Sequence, residues 1–475
     1  MKQKLHLAIA MIAFLTTSAQ VTLLKEINNS GVLSSNPSNL FVFNNKIYFA
    51  ADDSNGSNSP GNADLGGEIW VTDGTLEGTT FLKDLRTGSD SSSPNFFFEF
   101  NNTMYFSANT GSGNVLFSSD GTTDGTIDSG GSFIFNQVKL DGLIYYINTT
   151  DSNGLYQFDG TTQTKVANAG AEHVNFLGAA ITAFNGKIYG YGFTATEDPT
   201  IGKELYVYDP ATDLYSLVKD ITASDADSGI SNFVTIGSEL YFEALGNVWK
   251  TDGTTDGTIA IDKASGIGST LEYFVWNGGL YFEGDTGESN DQLWKYDPSS
   301  DTITNVSNIT GSTATGGNNH DPSDYAVLGD YLYYRGENSD DSNGYMFRTN
   351  GTTSVNLDST IKDIDDITVF NGKLYFEGDD STSGNELYML DPTTLSITKV
   401  FKDTLDIYPN PASEFIQIAS EYLNSSYKIY SILGQVVKEG IITSSQISVS
   451  GISKGNYILK VSQDAKVTTQ KLIIK

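Results

Sequence analysis

Two segments decide the fold: Phe43-Asn44-Asn45-Lys46-Ile47-Tyr48-Phe49 and Glu68-Ile69-Trp70-Val71-Thr72-Asp73-Gly74-Thr75. The first is a tight turn feeding an apolar, aromatic strand. Asn tolerates the positive φ values that a two-residue hairpin turn needs. The second is another apolar strand closed by Asp-Gly-Thr. There Asp folds its carboxylate back on the backbone, Gly sets the turn and Thr restarts a strand.

Both segments recur. The Leu/Ile-Tyr-Phe strand returns at Tyr48, Tyr105, Tyr145, Tyr189, Tyr241, Tyr281, Tyr333 and Tyr375. The mean interval is about 47 residues, the spacing of propeller blades. Hairpin turns precede several copies, as in Phe184-Asn185-Gly186-Lys187 and Phe370-Asn371-Gly372-Lys373. The second strand ends at Asp120-Gly121-Thr122, Asp159-Gly160-Thr161, Asp252-Gly253-Thr254 and Asn350-Gly351-Thr352, or in Asp-Pro at Asp209, Asp297 and Asp391. A last strand follows, as in Phe81-Leu82-Lys83-Asp84 and Leu217-Val218-Lys219-Asp220. Four strands per repeat and eight repeats predict an all-β fold, an eight-bladed β-propeller, with seven blades as the alternative. Two segments compete to close the ring, Val21 to Ile27 and Ile397 to Phe401.

The stretch from Glu68 to Thr79 resembles the ELWxxDGTxxGT repeat of secreted bacterial proteins. Trp70 and Trp249 fit it strictly, and Asn247 and Gln292 replace its Glu. The resemblance implies repeats and export and no defined activity. Composition agrees with a folded, exported chain. Of 475 residues, 27 are Lys or Arg and 58 are Asp or Glu, a net charge of −31. Such a surface excludes phosphate-backbone binding and does not favour anionic membranes. Apolar residues at 38% supply a core, and the absence of Cys excludes disulfides, thiolate metal sites and Cys nucleophiles.

The two ends read differently from the middle. Lys2 and Lys4, an apolar run from Leu7 to Leu15 and Thr17-Ser18-Ala19 have the order of a secretory signal, residues 1–19. The run is too short to span a bilayer, and no later segment reads as transmembrane. From Leu405 the charge changes sign. Residues 405–475 carry seven Lys, no Arg and five Asp or Glu, whereas 20–404 carry 18 basic and 53 acidic residues. Short alternating strands separated by Pro409, Pro411, Gly434, Gly440, Gly451 and Gly455 predict a small β-sandwich over 405–475.

That tail resembles the C-terminal sorting domain of the type IX (Por) secretion system of Bacteroidota. The resemblance rests on Tyr408-Pro409-Asn410-Pro411-Ala412, the segment from Tyr430 through Gly434 to Val437, Gly455-Asn456-Tyr457-Ile458, and the basic end from Lys471 to Lys475. It implies Sec export, then passage through the type IX machinery to the cell surface or medium. Without it the tail reads as an ordinary β-sandwich adhesion module.

Three constellations are candidates for chemistry. The loops beginning Asp53-Ser54-Asn55-Gly56, Asp151-Ser152-Asn153-Gly154 and Asp341-Ser342-Asn343-Gly344 offer hard oxygen ligands, so Asp53, Asn55, Asp151, Asn153, Asp341 and Asn343 are Ca²⁺ candidates. The same loops also read as solvated hairpin turns, since none has the EF-hand spacing. The residue after Tyr-Phe forms a series, Ala50, Ser107, Ile147, Tyr191, Glu243, Glu283, Arg335 and Glu377. These line a pocket, or else Arg335 pairs with Glu283 or Glu377 between repeats. His173 and His320 are isolated, and no Gly-x-Ser-x-Gly elbow, His-Glu-x-x-His helix or phosphate loop is present. No catalytic residue and no cofactor is expected. The sequence therefore reads as a secreted or surface-attached binding module, for polysaccharide or another surface protein. An extracellular glycan hydrolase or lyase and a structural surface-layer component are the alternatives.

Overall fold

A computed structural model describes residues 21–29, 33–54, 56, 58–167, 170, 173–195, 198–264, 266–286, 291–309, 319–338, 342–394, 405, 407–418, 422, 423, 425–431, 435–463 and 466–475. The signal segment 1–19 and the strand candidate 397–401 lie outside them. The chain divides into two compact units, Met1–Leu395 and Ser396–Lys475. Both are built from antiparallel strands, with a single short α-turn, Asp198–Ile201, and a few 3₁₀ turns among the described residues.

In the first unit the described strands form eight four-stranded antiparallel sheets, seven of them ordered by sequence. Sheet one holds Ser38–Phe43, Lys46–Asp52, Gly67–Thr72 and Thr80–Lys83. Sheet two begins at Asn95–Phe100, sheet three at Val138–Leu140, sheet four at Asn175–Phe184 and sheet five at Ser231–Ile236. Sheet six begins at Gly268–Trp276, sheet seven at Ser323–Leu328 and sheet eight at Lys362–Phe370. Sheet eight takes its fourth strand from the other end of the unit. Val21–Lys25 pairs with Asn385–Leu390, Thr22 opposite Met389.

The hairpin turns form where Asn tolerates left-handed backbone. Asn44 and Asn45 have φ of 45° and 59°, Asn185 and Gly186 48° and 73°. The second strand of each sheet is buried on both faces, so alternation is lost: Ile47, Tyr48, Phe49, Ala50 and Ala51 are all buried. Parallel runs are Leu240, Tyr241 and Phe242, and Leu374, Tyr375 and Phe376.

In the stretch from Glu68 to Thr79 nearly every position of the Glu-x-Trp-x-x-Asp-Gly-Thr-x-x-Gly-Thr pattern has a physical role. Glu68 is fully buried, and its carboxylate accepts from Leu85 N (2.8 Å), Ser92 N (3.0 Å) and Ser92 Oγ (2.6 Å). It thereby ties the end of sheet one to the segment entering sheet two. Glu204 and Glu386 do the same for Ile221 N and for Ile27 N and Asn28 N. Gln292, which breaks the pattern, still accepts from Ile309 N at 3.0 Å. Asp73 Oδ1 accepts from Thr75 N and Thr75 Oγ1, and Thr72 Oγ1 meets Thr79 Oγ1 at 2.7 Å. A Cβ on Gly78 would overlap the Asp73 carboxylate, so Gly is required there.

The same turn joins neighbouring sheets. Tyr48 OH donates to Gly121 O and Tyr105 OH to Gly160 O, each at 3.1 Å. Gly74 of sheet one faces the Tyr375 hydroxyl of sheet eight in the same way, as Gly253 faces Tyr189 and Gly351 faces Tyr281. The first strands lie side by side from sheet three through sheet eight, and sheet eight lies beside sheet one. Asn39 N donates to Asp366 Oδ2 (2.7 Å) and Thr368 Oγ1 to Leu40 O (3.1 Å) across that last junction.

In the second unit, Phe415–Gln417 pairs with Gln446–Ser448, and a four-stranded sheet runs Val436–Ile441, Ser426–Ser431, Gly455–Gln463, Lys466–Ile474. Ile416, Ile429, Val449, Leu459 and Leu472 form its core. The short strands expected over 405–475 are present as these six segments.

Candidate functional site

The first strand of six sheets carries one extra residue against its partner. The shifts fall between Ser38 and Phe41, Asn95 and Phe98, Ser231 and Val234, Leu271 and Phe274, Ser323 and Ala326, and Asp365 and Thr368. Such a bulge re-aims side chains. The residue entering each bulge is left-handed although it is not Gly: Asn39, Phe96, Asn232, Glu272, Asp324 and Asp366, with φ between 52° and 58°. The residues opposite are Ala50, Ser107, Glu243, Glu283, Arg335 and Glu377, six members of the series read from the sequence.

Carboxylates gather at this station in sheets six to eight. Glu283, Asp291 and Asp321 each bring an oxygen within 4.8 Å of the others. Burial pushes Glu283 up to about 8, helped by Asp291, Asp321 and Glu272 and opposed by Arg335. Burial and Asp321 raise Asp291 to about 6. Asp324 rises to about 7 through burial, Asp365 and Asp366. Glu377 rises to about 7 through burial, although Asn385 Nδ2 donates to it at 2.8 Å. Glu243 is raised by burial and accepts from Ser231 Oγ and Gly246 N. The cluster can hold a proton at neutral pH. It also offers a divalent cation three oxygen donors of the six to eight that Ca²⁺ takes.

The Ca²⁺ candidates are not gathered into one place. Asp53 is a buried turn carboxylate that accepts from Asn58 N at 2.5 Å. Asp151 binds Lys165 Nζ (2.5 Å) and Tyr156 OH (2.9 Å). Asn153 is left-handed, and its carbonyl accepts from Phe176 N at 3.3 Å. Asn343 precedes the Tyr345–Thr349 strand; Asn55 and Asp341 lie outside the described residues. Arg335 forms no ion pair within 4.0 Å among the described residues. Its side chain crosses its own sheet over Gly344, where there is no room for a Cβ, and its charge lowers Glu283 and Asp324 from there. His320 is fully buried, with Nδ1 2.6 Å from Glu337 O and Nε2 3.0 Å from Tyr334 OH. Since a carbonyl only accepts, Nδ1 carries the proton. Burial holds the ring neutral, down to about 4.

A concavity lies between sheets one and two. It is an open cleft of about 230 Å³ lined by Ser38, Asn39, Asp52, Ser91, Ser93 and Asn95, among others. Two buried acceptors beside these walls, Asp52 Oδ1 and Asn95 Oδ1, have no hydrogen-bond partner among the described residues. Burial raises the Asp52 carboxyl, and Asp64 and Asp53 add to it. Neither acceptor was singled out in the sequence, because lone Asp and Asn residues are abundant there.

In the second unit the motif residues divide into two kinds. Asn410 clamps the last strand: Nδ2 donates to Lys471 O (2.7 Å), and Oδ1 accepts from Ile473 N (2.8 Å). Pro411 follows it, and Ala412 and Lys475 continue the clamp through Ala412 N to Ile473 O and Lys475 N to Ala412 O. Tyr457 OH donates to Ser453 O at 2.7 Å, just ahead of Gly455. Tyr408, before Pro409, pairs its backbone with Gln417 and leaves its ring 62% exposed. Lys471 and Lys475 are exposed, and Gly434 lies outside the described residues.

Residues 406–475 match the family described as the secretion system C-terminal sorting domain. This is the type IX sorting domain. It indicates export through the type IX machinery to the cell surface or outer membrane. Among the described residues no helix is long and apolar enough to cross a membrane. No curated protein matches the chain. Among solved structures it is similar to the computationally designed Ika8 protein, at 11% identity and a TM-score of 0.46, over 78% of this chain and 99% of that one. It is also similar to PorZ, a surface component of the type IX secretion system of Porphyromonas gingivalis (12%, TM-score 0.36, 91% and 68%). A third similar structure is a puromycin-hydrolysing peptidase of Mycobacterium tuberculosis (13%, TM-score 0.41, 76% and 60%). Likeness at these scores carries no argument about function.

Proposed function

We propose that this chain is a type IX cargo, made with a cleaved signal at 1–19, whose residues 20–404 form a closed eight-bladed β-propeller that binds polysaccharide at the surface. Residues 405–475 are the address. The propeller reading is supported by the tyrosine-to-turn contact repeated from sheet to sheet, including sheet eight to sheet one. The observation that carries the binding reading is the open cleft between sheets one and two. Its walls combine Ser, Asn and Asp side chains with Ala50, Ala51, Gly67 and Pro94. The Ser, Asn and Asp side chains of the cleft offer both donors and acceptors to sugar hydroxyls. An open polar cleft suits a chain that passes through better than an enclosed small-molecule pocket.

One observation favours a second reading, a glycan hydrolase or lyase. Glu283 holds its proton to about 8 while Asp291 beside it ionises near 6, the split an acid and base pair requires. A glycan array probed with the mature chain separates the two. Binding that is lost in Asp52→Ala and Asn95→Ala and kept in Glu283→Gln is the expected result. Substrate cleavage that Glu283→Gln abolishes would replace it.

A further inference from the structure

The sorting domain's motifs are scattered in sequence, yet three of them meet on one surface. In the four-stranded sheet, Tyr430 pairs with Val436 on one side and Ile458 on the other, and Ile458 pairs with Lys471. Paired residues share a face. One row across four strands therefore reads Val436, Tyr430, Ile458, Lys471. Tyr430 and Val436 belong to the mid-domain motif, Ile458 to the Gly-Asn-Tyr-Ile motif and Lys471 to the basic end.

This row points away from the core. Its sequence neighbours Ile429, Leu459 and Leu472 are fully buried on the other face. Val436 and Ile458 are 45% and 46% exposed, and Tyr430 is partly exposed. The next row holds Glu439, Lys428, Lys460 and Thr469, with Lys428 paired to Glu439 at 3.0 Å. Across the two rows there are three lysines and one carboxylate. The opening motif is different in kind, because its Asn410 is consumed in holding the last strand. Single exposed apolar residues are ordinary on a protein surface. Three aligned across adjacent strands, drawn from two separate motifs and bordered by Lys460 and Lys471, form a contiguous apolar patch.

We propose that this face is where the type IX secretion machinery reads the chain, through a receptor surface apolar at its centre and acidic at its rim. The proposal rests on the export reading above. The occupant follows from the domain's assignment as a secretion sorting domain and from the charge of the face. A second copy of this chain is the competing occupant.

The test uses the full chain in a type IX-competent host. The triple variant Tyr430→Ser, Val436→Ser, Ile458→Ser and the pair Lys460→Glu, Lys471→Glu are followed by cell fractionation, and each purified chain by thermal melting and size-exclusion chromatography. Every position is outside the core. The expected result is unchanged melting with surface or medium delivery reduced at least about tenfold, the chain accumulating in the periplasm. Should the serine variant fail to fold, the lysine pair decides alone. Wild-type delivery of the folded variants, with a chain lacking 406–475 retained, overturns this face and leaves the export reading intact. Loss of a dimer without loss of delivery assigns the face to self-association and overturns the proposal. Delivery of the chain lacking 406–475 would overturn the export reading itself.

Discussion

A chain lacking residues 406–475 is expected to accumulate in the periplasm of a type IX-competent host, with its surface and medium fractions falling to background. The sorting match covers 406–475, and the compact unit that contains it begins at Ser396. That unit has its own core, from Leu405 to Ile474. Its removal takes away the address without opening any of the eight sheets of the first unit, whose last described pairing is with Asn385–Leu390. The truncated protein should therefore remain folded and soluble in the periplasmic fraction. Fractionation with blotting reads the result, and a melting curve separates mislocalisation from misfolding. Undiminished delivery would show that the address lies elsewhere.

The second large effect is on stability against pH. Glu283 is pushed up to about 8, and Glu68, Asp324, Glu377 and Glu386 to about 7. A carboxyl whose folded pKa is raised binds more protons folded than unfolded between the two values. Its contribution is fully present below the ordinary carboxylate range and is lost as pH rises through 7 to 8. His320 acts with the opposite sign. Its folded pKa is lowered to about 4, so its contribution is present above 6.5 and lost as pH falls through 4. The melting temperature should therefore peak in mild acid, near pH 5, and fall towards pH 8.5. Glu283→Gln isolates the largest of these groups. One pKa unit is about 1.4 kcal/mol, and half of the Glu283 displacement from 4.5 corresponds to about 2 kcal/mol. The variant should be more stable than wild type by about that amount at pH 8.5 and no more stable at pH 5. An equal gain at both pH values would mean that packing, not charge, is responsible.

The parts of this molecule that repeat were legible in its sequence. The tyrosine in each second strand and the Asp/Asn-Gly-Thr or Asp-Pro turn after the third strand mark positions that recur from sheet to sheet. Trp70 and Phe81 mark where a third strand meets its fourth. The hydrogen-bonding role of Glu68 was not visible, because its partners Leu85 and Ser92 lie 17 and 24 residues on, outside the turn. The acidic station was half legible. Counting from Tyr-Phe placed Glu283, Arg335 and Glu377 at one level. The bulges that aim them are only partly marked in the sequence: Asn39, Asn232, Asp324 and Asp366 are of types that tolerate left-handed backbone, whereas Phe96 and Glu272 are not. Asp291 and Asp321 come from segments that precede strands and fall outside the repeat frame. An acidic residue directly ahead of the Glu/Gln position, as in Asp291-Gln292, was the available signal. Arg335 shows the limit of frame-counting. Position fixes the Cα, whereas the guanidinium follows the space left by Gly344 in its own sheet.

The proposed ring is closed by Val21–Lys25, and its most direct test exploits a chain without cysteine. Thr22 and Met389 are strand partners separated by 367 residues in sequence. Facing strand partners stand ~4.5–5.5 Å apart at Cα, within the range a disulfide spans. In a Thr22→Cys, Met389→Cys chain, mild oxidation should convert nearly all molecules to one intramolecular cross-link, seen as a non-reducing gel shift. A native chain that stays uncross-linked, with both thiols free, would contradict closure by Val21–Lys25.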